Sequence, residues 1–255
     1  MNSLSKAIIK FSETLHTKEV EVDPKSNTII LGDRKLPVEQ SSLEAPISGT
    51  VYGALLNYSG ELKALGSSLT KEPYKQPPKA PVLYIKPVNT ITGFKSLIPF
   101  PEETSHLQVG ASLGIVIGKN ATRVTAEKAL DHVLGYTIVN DVSIPHENFY
   151  RPAIKQKARD NFCPVGPWII ERDAIADPNK LTISVFVNDE LKQKNTTANL
   201  IRPVSRLISE ISEFMTLYEG DVLLVGVPEN PPLVEKGDRV RIEIDGIGYL
   251  ENTVQ

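Results

Sequence analysis

Cysteine and histidine are scarce in this chain of 255 residues, which contains one cysteine and four histidines. The single thiol, Cys163, cannot form an internal disulfide, and a chain without disulfides suits a reducing compartment. The four histidines are scattered and show none of the short spacings of zinc sites. The sequence therefore argues against a disulfide scaffold and against a zinc protein, and it predicts a cytoplasmic location.

Long apolar runs and clusters of positive charge are also missing. No run approaches the length needed to span a bilayer, and the first residues lack the layout of a signal peptide. The net charge is −3, and lysine and arginine form no block that would bind a nucleic-acid backbone. We therefore expect neither a membrane nor a nucleic acid as a partner, and we expect a small-molecule ligand.

Short strands dominate the pattern that is present. Alternating or β-branched runs predict strands at 19–22, 28–31, 82–85, 113–117, 181–187 and 240–244. Asp245-Gly246 predicts a hairpin turn. Helices are predicted over 126–134, behind a Thr125 cap, and over Ala198–Met215. This pattern favours a β-dominated α+β fold over a doubly wound sheet.

Two units are expected along the chain. Residues 1–46 hold short strands separated by turn residues and predict a small N-terminal β domain. A new apolar segment opens at residues 49–57, so a larger domain is predicted over 47–255.

Residues 110–114 match the pattern G-x-S-x-G, which marks the nucleophile of many serine hydrolases. That motif requires a strand before the serine and a helix after it. Here Ser112 is followed at once by the apolar, β-branched run Leu113–Ile117, which predicts a strand. A serine hydrolase is therefore the weakest of the functional hypotheses.

Five stretches in register carry a resemblance to a known family. They are IKPVNT (85–90), GYTIVNDVSIPHENFYRPAIKQKARDNFCPVGPWII (135–170), NTTANLI (195–201), LYEGDVLLVGVP (217–228) and VEKGDRVRIEIDGIGYLEN (234–252). In order and spacing they resemble the fumarylacetoacetate hydrolase superfamily from about Gly49 to the C-terminus. The resemblance implies that family's mixed β core, preceded by a small β unit as in some members.

The family has a metal site, and the resemblance implies that this chain has lost two of its ligands. Members hold Mg²⁺ or Mn²⁺ with an E-x-E pair, whose carboxylates share one face of a strand, and with the aspartate of a V-N-D stretch. Asp141 matches that aspartate, whereas Gly110 and Ser112 stand in the two glutamate positions. The resemblance therefore implies a degenerate site at which metal binding is weak or absent. Asp141 is then a residual ligand, or it is a structural acid paired with a lysine.

The cationic part of the family's site is retained. Lys157 matches the active-site lysine, and we expect it to be catalytic, stabilising an enolate or delivering a proton. A di- or tricarboxylate needs paired cations and donors, and the candidates for substrate binding are Lys86, Tyr150, Arg151 and Arg159. Some of these cations could instead pair with neighbouring acids.

Two further family positions are changed. Members with a lid dyad carry H-x-x-E after an Asn-Tyr pair, and here Glu61 and Ala64 occupy those two positions after Asn57-Tyr58. The usual G-T-P reads Gly226-Val227-Pro228, so a hydroxyl is lost.

Two functional hypotheses remain open. In the first, the chain is a subunit of an enzyme of aromatic-compound breakdown that decarboxylates or isomerises 2-oxo and 2-hydroxy dienoic di- or tricarboxylates. It would then form a homodimer, a heteromer with a metal-bearing homologue, or both. In the second, it is a non-catalytic pseudoenzyme that completes such an assembly.

Overall fold

The computed structural model describes residues 4–72, 75–146 and 151–255, and strands provide most of the regular structure there. In chain order the strands are β1 (Ser5–Ile9), β2 (Lys18–Asp23), β3 (Thr28–Leu31), β4 (Arg34–Pro37), β5 (Val51–Leu55), β6 (Val82–Lys86), β7 (Ile91–Thr92), β8 (Leu97–Ile98), β9 (Leu107–Gln108), β10 (Ala111–Ile117), β11 (Val133–Asn140), β12 (Cys163–Glu171), β13 (Thr182–Val187), β14 (Glu190–Thr196), β15 (Val222–Leu224), β16 (Leu233–Val234), β17 (Arg239–Ile244) and β18 (Gly248–Val254).

The α-helices are short: α1 (Ser59–Leu65), α2 (Ile154–Lys157) and α3 (Val204–Ser212). Helix α3 is shorter than the predicted Ala198–Met215, because Pro203 occupies its N-cap and the chain before it forms a separate 3-10 turn at Thr197–Asn199. Its apolar side chains Val204, Leu207, Ile208 and Ile211 are buried.

The predicted helix over 126–134 is wrong. The chain makes only a 3-10 turn at Ala129–His132 and then enters β11 at Val133. Strand β11 pairs with β10 on one side and β12 on the other, so the buried ladder outweighs the local helical pattern.

The largest sheet has the order β4-β3-β2-β1-β12-β11-β10-β15-β5-β6, and β7 pairs with β12 outside this path. Strands β10, β11 and β12 lie at its centre and are almost entirely buried, which explains their continuous apolar runs. Most pairs are antiparallel, but β15·β5, β12·β7 and β18·β8 are parallel. The predicted β-dominated α+β class with a mixed core is confirmed.

The four N-terminal strands form an antiparallel meander that continues the large sheet through the pairing of β1 with β12. The Asn27 side chain also exchanges two hydrogen bonds of 3.1 Å with the backbone of Tyr249. The N-terminal segment thus shares both a sheet and polar contacts with the rest of the chain. Its division from the rest at residue 46 stays a prediction.

A second sheet, with the order β14-β13-β17-β18-β8, packs with the large sheet around the core. The predicted turn at Asp245-Gly246 joins β17 to β18. Trp168 of β12 is fully buried, and its indole N–H donates to the Ile247 carbonyl at 2.7 Å. No helix in the described ranges is both long enough and apolar enough to cross a bilayer.

Candidate active site

Asp141 lies where the central strand β11 ends, beside the start of β10. Its amide donates to the Gly110 carbonyl at 2.8 Å, and the Gly110 amide donates to Asn140 Oδ1 at 3.0 Å. Asn140 of the V-N-D stretch therefore holds the two strand ends together. Asp141 is 1% exposed, so its carboxylate depends on protein partners for its stabilisation.

Two lysines and a tyrosine surround that carboxylate. Lys157 Nζ lies 2.6 Å from Asp141 Oδ2, and Lys86 Nζ lies 3.0 Å from Asp141 Oδ1. The Tyr84 hydroxyl also donates to Asp141 Oδ2. Burial alone would raise the pKa of Asp141, but the ammonium groups of Lys157 and Lys86 and the hydrogen bonds from Lys157 and Tyr84 hold that pKa well below its usual range.

Lys86 is buried behind the carboxylate. Its Nζ donates to the carbonyls of Val142 at 3.1 Å and Lys157 at 2.8 Å, in addition to its ion pair with Asp141. Burial lowers the pKa of Lys86, and the Asp141 charge opposes this effect. Two hydrogen bonds to backbone carbonyls and the ion pair with Asp141 let Lys86 fix Asp141 and the end of α2 in place, although Asp141 Oδ1 itself accepts no hydrogen bond from the described residues.

Lys157 is the last residue of α2, a single helical turn that begins just after Pro152. Its ammonium lies 4.7 Å from the centre of the Tyr84 ring, a distance typical of cation–π contacts. The side chain is 11% exposed and reaches a cavity, whereas that of Lys86 is 0% exposed. Lys157 is thus the cation of the pair that a ligand can contact.

Tyr84 was not predicted as a site residue. Its ring packs over Gly53, the residue opposite it on β5. A Cβ at Gly53 would lie 2.0 Å from a ring carbon. Tyr84 and Lys86 are two residues apart on β6, so their side chains share one face of the strand. That spacing, together with the predicted role of Lys86, is the sequence signal that could have identified Tyr84.

A cavity of about 190 Å³ lies in front of these groups. Three acidic side chains line it, Glu61, Asp141 and Glu229, together with Lys157. Burial, with a contribution from the Glu229 charge, raises the pKa of Glu61 to about 7, although a hydrogen bond from the Leu56 backbone and the Lys157 charge act in the opposite direction. Glu229 follows the Gly226-Val227-Pro228 stretch and was not predicted as a site residue.

Of the remaining predicted binding residues, neither Arg151 nor Arg159 lines this cavity. Arg151 lines a neighbouring cavity of about 210 Å³, which shares Tyr84, His146 and Lys157 with the first. Arg159 forms an ion pair with Glu103, with Nη2 2.5 Å from Oε1. Tyr150 lies outside the described residues. The substrate-binding roles of these residues stay predictions.

The described residues do not fit a divalent ion at Asp141. Gly110 supplies no ligand, and a Cβ there would lie 2.2 Å from the Asp141 carbonyl oxygen. Mg²⁺ prefers several hard oxygen ligands, whereas both Asp141 oxygens here face ammonium groups. Across residues 4–72, 75–146 and 151–255, no group of three or more histidine, cysteine or acidic side chains is placed to hold a metal ion.

Ser112 is in the second position of β10, which continues as a strand to Ile117. Its side chain is 0% exposed, and its hydroxyl makes one long contact of 3.4 Å with the Leu113 carbonyl. No helix follows the serine, so the geometry of a nucleophile elbow is absent at this strand. Cys163, at the start of β12, is also buried, and burial raises the pKa of its thiol to about 12.

Comparison with known proteins identifies the family to which the chain belongs. The profile of the family described as "Fumarylacetoacetate (FAA) hydrolase C-terminal" matches residues 50–255. The chain belongs to the fumarylacetoacetate hydrolase family. Its resemblance to that family is thereby confirmed, including the mixed β core that the resemblance implied.

One relative within this family is the 4-hydroxyphenylacetate degradation bifunctional isomerase/decarboxylase of Escherichia coli. It is 42% identical over 208 residues, which are 82% of this chain and 47% of that protein. The chain spans about half the length of the bifunctional isomerase/decarboxylases it matches.

Two solved structures of this family are also similar. The 2-hydroxyhepta-2,4-diene-1,7-dioate isomerase of Mycobacterium marinum is 30% identical with a TM-score of 0.79, and the match covers 99% of this chain and 98% of that one. The maleylpyruvate hydrolase of Sphingobium sp. SYK-6, solved with manganese(II) and pyruvate, is 30% identical with a TM-score of 0.71, covering 87% and 76%. Metal binding is therefore a property of at least one structural relative.

Proposed function

We propose that this chain is a subunit of an enzyme of aromatic-compound catabolism with a degenerate metal site. Its substrates are 2-oxo and 2-hydroxy dienoic di- or tricarboxylates, and the reactions are decarboxylation of 5-oxopent-3-ene-1,2,5-tricarboxylate and isomerisation of 2-hydroxyhepta-2,4-diene-1,7-dioate. The observation that carries the proposal is the partly exposed ammonium of Lys157, held 2.6 Å from the buried Asp141 at the wall of a cavity. The E. coli and M. marinum relatives support the reaction class.

The chain's own groups have distinct roles in this proposal. Lys157 binds a substrate carboxylate and stabilises negative charge on the oxo oxygen, because an ammonium in a partly desolvated site attracts a developing oxyanion. Asp141, Lys86 and Tyr84 hold that ammonium in position. In decarboxylation, the carbon–carbon bonding pair stays on the substrate as a dienolate when CO₂ leaves, and a proton then completes the product.

The missing metal ligands lead to a proposal about assembly. The metal-dependent part of the chemistry belongs to a homologue that retains the E-x-E pair, and this chain associates with it as a heteromer while also forming a homodimer alone. The alternative is a pseudoenzyme that only completes the oligomer. Each Asp141 oxygen lies within 3.0 Å of an ammonium group, which favours that alternative as far as the metal-binding step is concerned.

Mixing experiments test the proposal. The chain is purified alone and with an E-x-E homologue, and both reactions are measured with each preparation. We expect little activity from the chain alone and more activity from the mixture than from the two chains measured separately. Lys157→Met should remove the extra activity of the mixture. Lys155→Met, on the exposed side of the same helical turn, should retain it.

Two results would change the assignment. If the homologue alone is fully active and Lys157→Met leaves the mixture unchanged, the chain is a pseudoenzyme. If the chain alone turns over either substrate efficiently without added metal, the assembly proposal is wrong and a mechanism confined to its own residues replaces it.

A further inference from the structure

Two glutamates outside the Asp141 cluster contribute to the same cavity. Glu61 lies on α1, and Glu229 follows β15, so they come from distant parts of the chain. Both line the cavity that Lys157 reaches. A glutamate side chain that lines a cavity beside an ammonium group can serve as a general acid or base for a molecule bound there.

Close packing places the Glu229 carboxyl group against the backbone of Gly60, the residue that precedes Glu61. A Cβ on Gly60 would lie 2.1 Å from Glu229 Cδ and 2.2 Å and 2.4 Å from its two carboxylate oxygens. The Glu229 carboxylate therefore lies directly against the backbone next to Glu61, in space that only glycine leaves open. Glu229 Oε2 is buried and has no hydrogen-bond partner among the described residues.

The charges around Glu61 favour a change of protonation state near neutral pH. Glu229 faces it with negative charge and Lys157 with positive charge, and Asp141, Tyr84 and His146 line the same cavity. Burial, with a smaller contribution from the Glu229 charge, raises the Glu61 pKa to about 7 against the Leu56 hydrogen bond and the Lys157 charge. A pKa near 7 suits a group that both gives and takes a proton. Lys157, in contrast, is bound to a carboxylate whose own pKa is well below its usual range.

We propose that Glu61 is the proton-transferring residue of this cavity and that Glu229 is a positioning residue that maintains its protonated form. This inference rests on the proposed isomerase function. The 2-hydroxyl proton of the dienoate leaves to water, and its O–H bonding pair forms the C2=O bond. The double bonds shift by one carbon, and the Glu61 carboxylic acid gives its proton to C5. Water then returns a proton to the carboxylate.

Isomerisation of 2-hydroxyhepta-2,4-diene-1,7-dioate by the chain together with its E-x-E homologue provides the kinetic test. Glu61→Gln should lower kcat by about 100-fold or more, since general acids contribute on the order of 10²–10⁴. It should also abolish enzyme-dependent deuterium incorporation at C5 in D₂O, measured by NMR. Glu72→Gln, at an exposed carboxylate, is the matched control and should retain the wild-type rate.

Variants at Glu229 and Gly60 test the positioning role of Glu229 through the pH dependence of the isomerisation rate. The wild-type rate should fall as pH rises through about 7, because the protonated form of Glu61 is the active one. Glu229→Gln removes a neighbouring negative charge, so the fall in the isomerisation rate should move to lower pH. Gly60→Ala should move it in the same direction by displacing the Glu229 carboxylate, although it leaves both carboxyl groups in the chain.

A measurement without substrate completes the test. In protein labelled with ¹³C at glutamate carboxyls, one NMR signal that is absent from Glu61→Gln should titrate near pH 7, and Glu229→Gln should shift that titration to lower pH. If no such signal exists, or if Glu61→Gln isomerises the dienoate at the wild-type rate, the role of Glu61 is overturned and the proposed function stands. If the wild-type assembly does not isomerise the dienoate, the proposed function fails, and the role of Glu61 fails with it.

Discussion

The ammonium of Lys86 donates a 2.8 Å hydrogen bond to the backbone carbonyl of Lys157, so the two lysines that flank Asp141 are joined to each other as well as to the acid. Lys86 is fully buried on β6, whereas Lys157 ends the single turn α2 at the cavity wall. The link makes the position of the cavity-facing cation depend on the buried one. Lys86 is therefore a structural support for Lys157.

Loss of Lys86 should destabilise the fold. Lys86→Met leaves Asp141 buried with one cationic partner fewer, and breaking a buried ion pair in this way costs about 3–5 kcal/mol. Lys157→Met should cost less, about 1–3 kcal/mol, because Lys157 is partly exposed and Asp141 keeps its contacts with Lys86 and Tyr84. Urea unfolding of both variants, with Lys155→Met as the exposed control, measures the difference. Equal losses for Lys86→Met and Lys155→Met would contradict the support role.

Gly110 and Ser112, the two positions at which we predict the loss of an E-x-E pair, should respond differently to substitution by alanine. Gly110→Ala should reduce the free energy of unfolding by about 2 kcal/mol or more, because its Cβ would overlap the Asp141 carbonyl oxygen at 2.2 Å. Ser112→Ala removes only a hydroxyl with one long contact and should cost less than about 1 kcal/mol. Ser112 should also remain unlabelled by fluorophosphonates, and a covalent adduct there would revive the hydrolase hypothesis.

Magnesium and manganese should bind weakly to the isolated chain. Asp141 is one carboxylate with two ammonium partners, and a divalent ion would have to displace at least one of them. Calorimetric titration with each ion should therefore give no submillimolar site. The opposite result, tight binding that disappears in Asp141→Ala, would show that other ligands compensate for Gly110 and Ser112.

The stability of the chain should depend on pH through Glu61. The pKa of this residue rises from about 4.5 in the unfolded chain to about 7 in the folded one, so the folded state loses stability as pH rises through that interval. Glu61→Gln removes this loss. The free energy of unfolding of the variant minus that of the wild type should be about 3 kcal/mol larger at pH 8 than at pH 5, since one pKa unit corresponds to about 1.4 kcal/mol. Urea unfolding at both pH values tests this, and Glu72→Gln should show no such difference.

Local sequence determined a large part of this protein. The alternation and β-branching of the strands near 19–22, 82–85 and 240–244 predict their structure, because side chains on a half-buried strand repeat every two residues. The V-N-D stretch and the lysine sixteen residues later predicted Asp141 and Lys157 as site residues. In the structure Lys157 Nζ lies 2.6 Å from Asp141 Oδ2. These features depend on neighbours in the chain or on motifs that remain in register.

Only the tertiary structure decided the rest. The predicted helix over 126–134 is lost because β11 gains ladders with both β10 and β12, which no local pattern reveals. Tyr84 reaches Asp141 from 57 residues away in the sequence, and Glu229 packs against Gly60 although the two are far apart along the chain. The charge state of a buried group depends on which groups surround it, and those groups come from separate strands. The sequence therefore identified the acid and its lysine, whereas the sheet determined their partners, their burial and the direction of their pKa shifts.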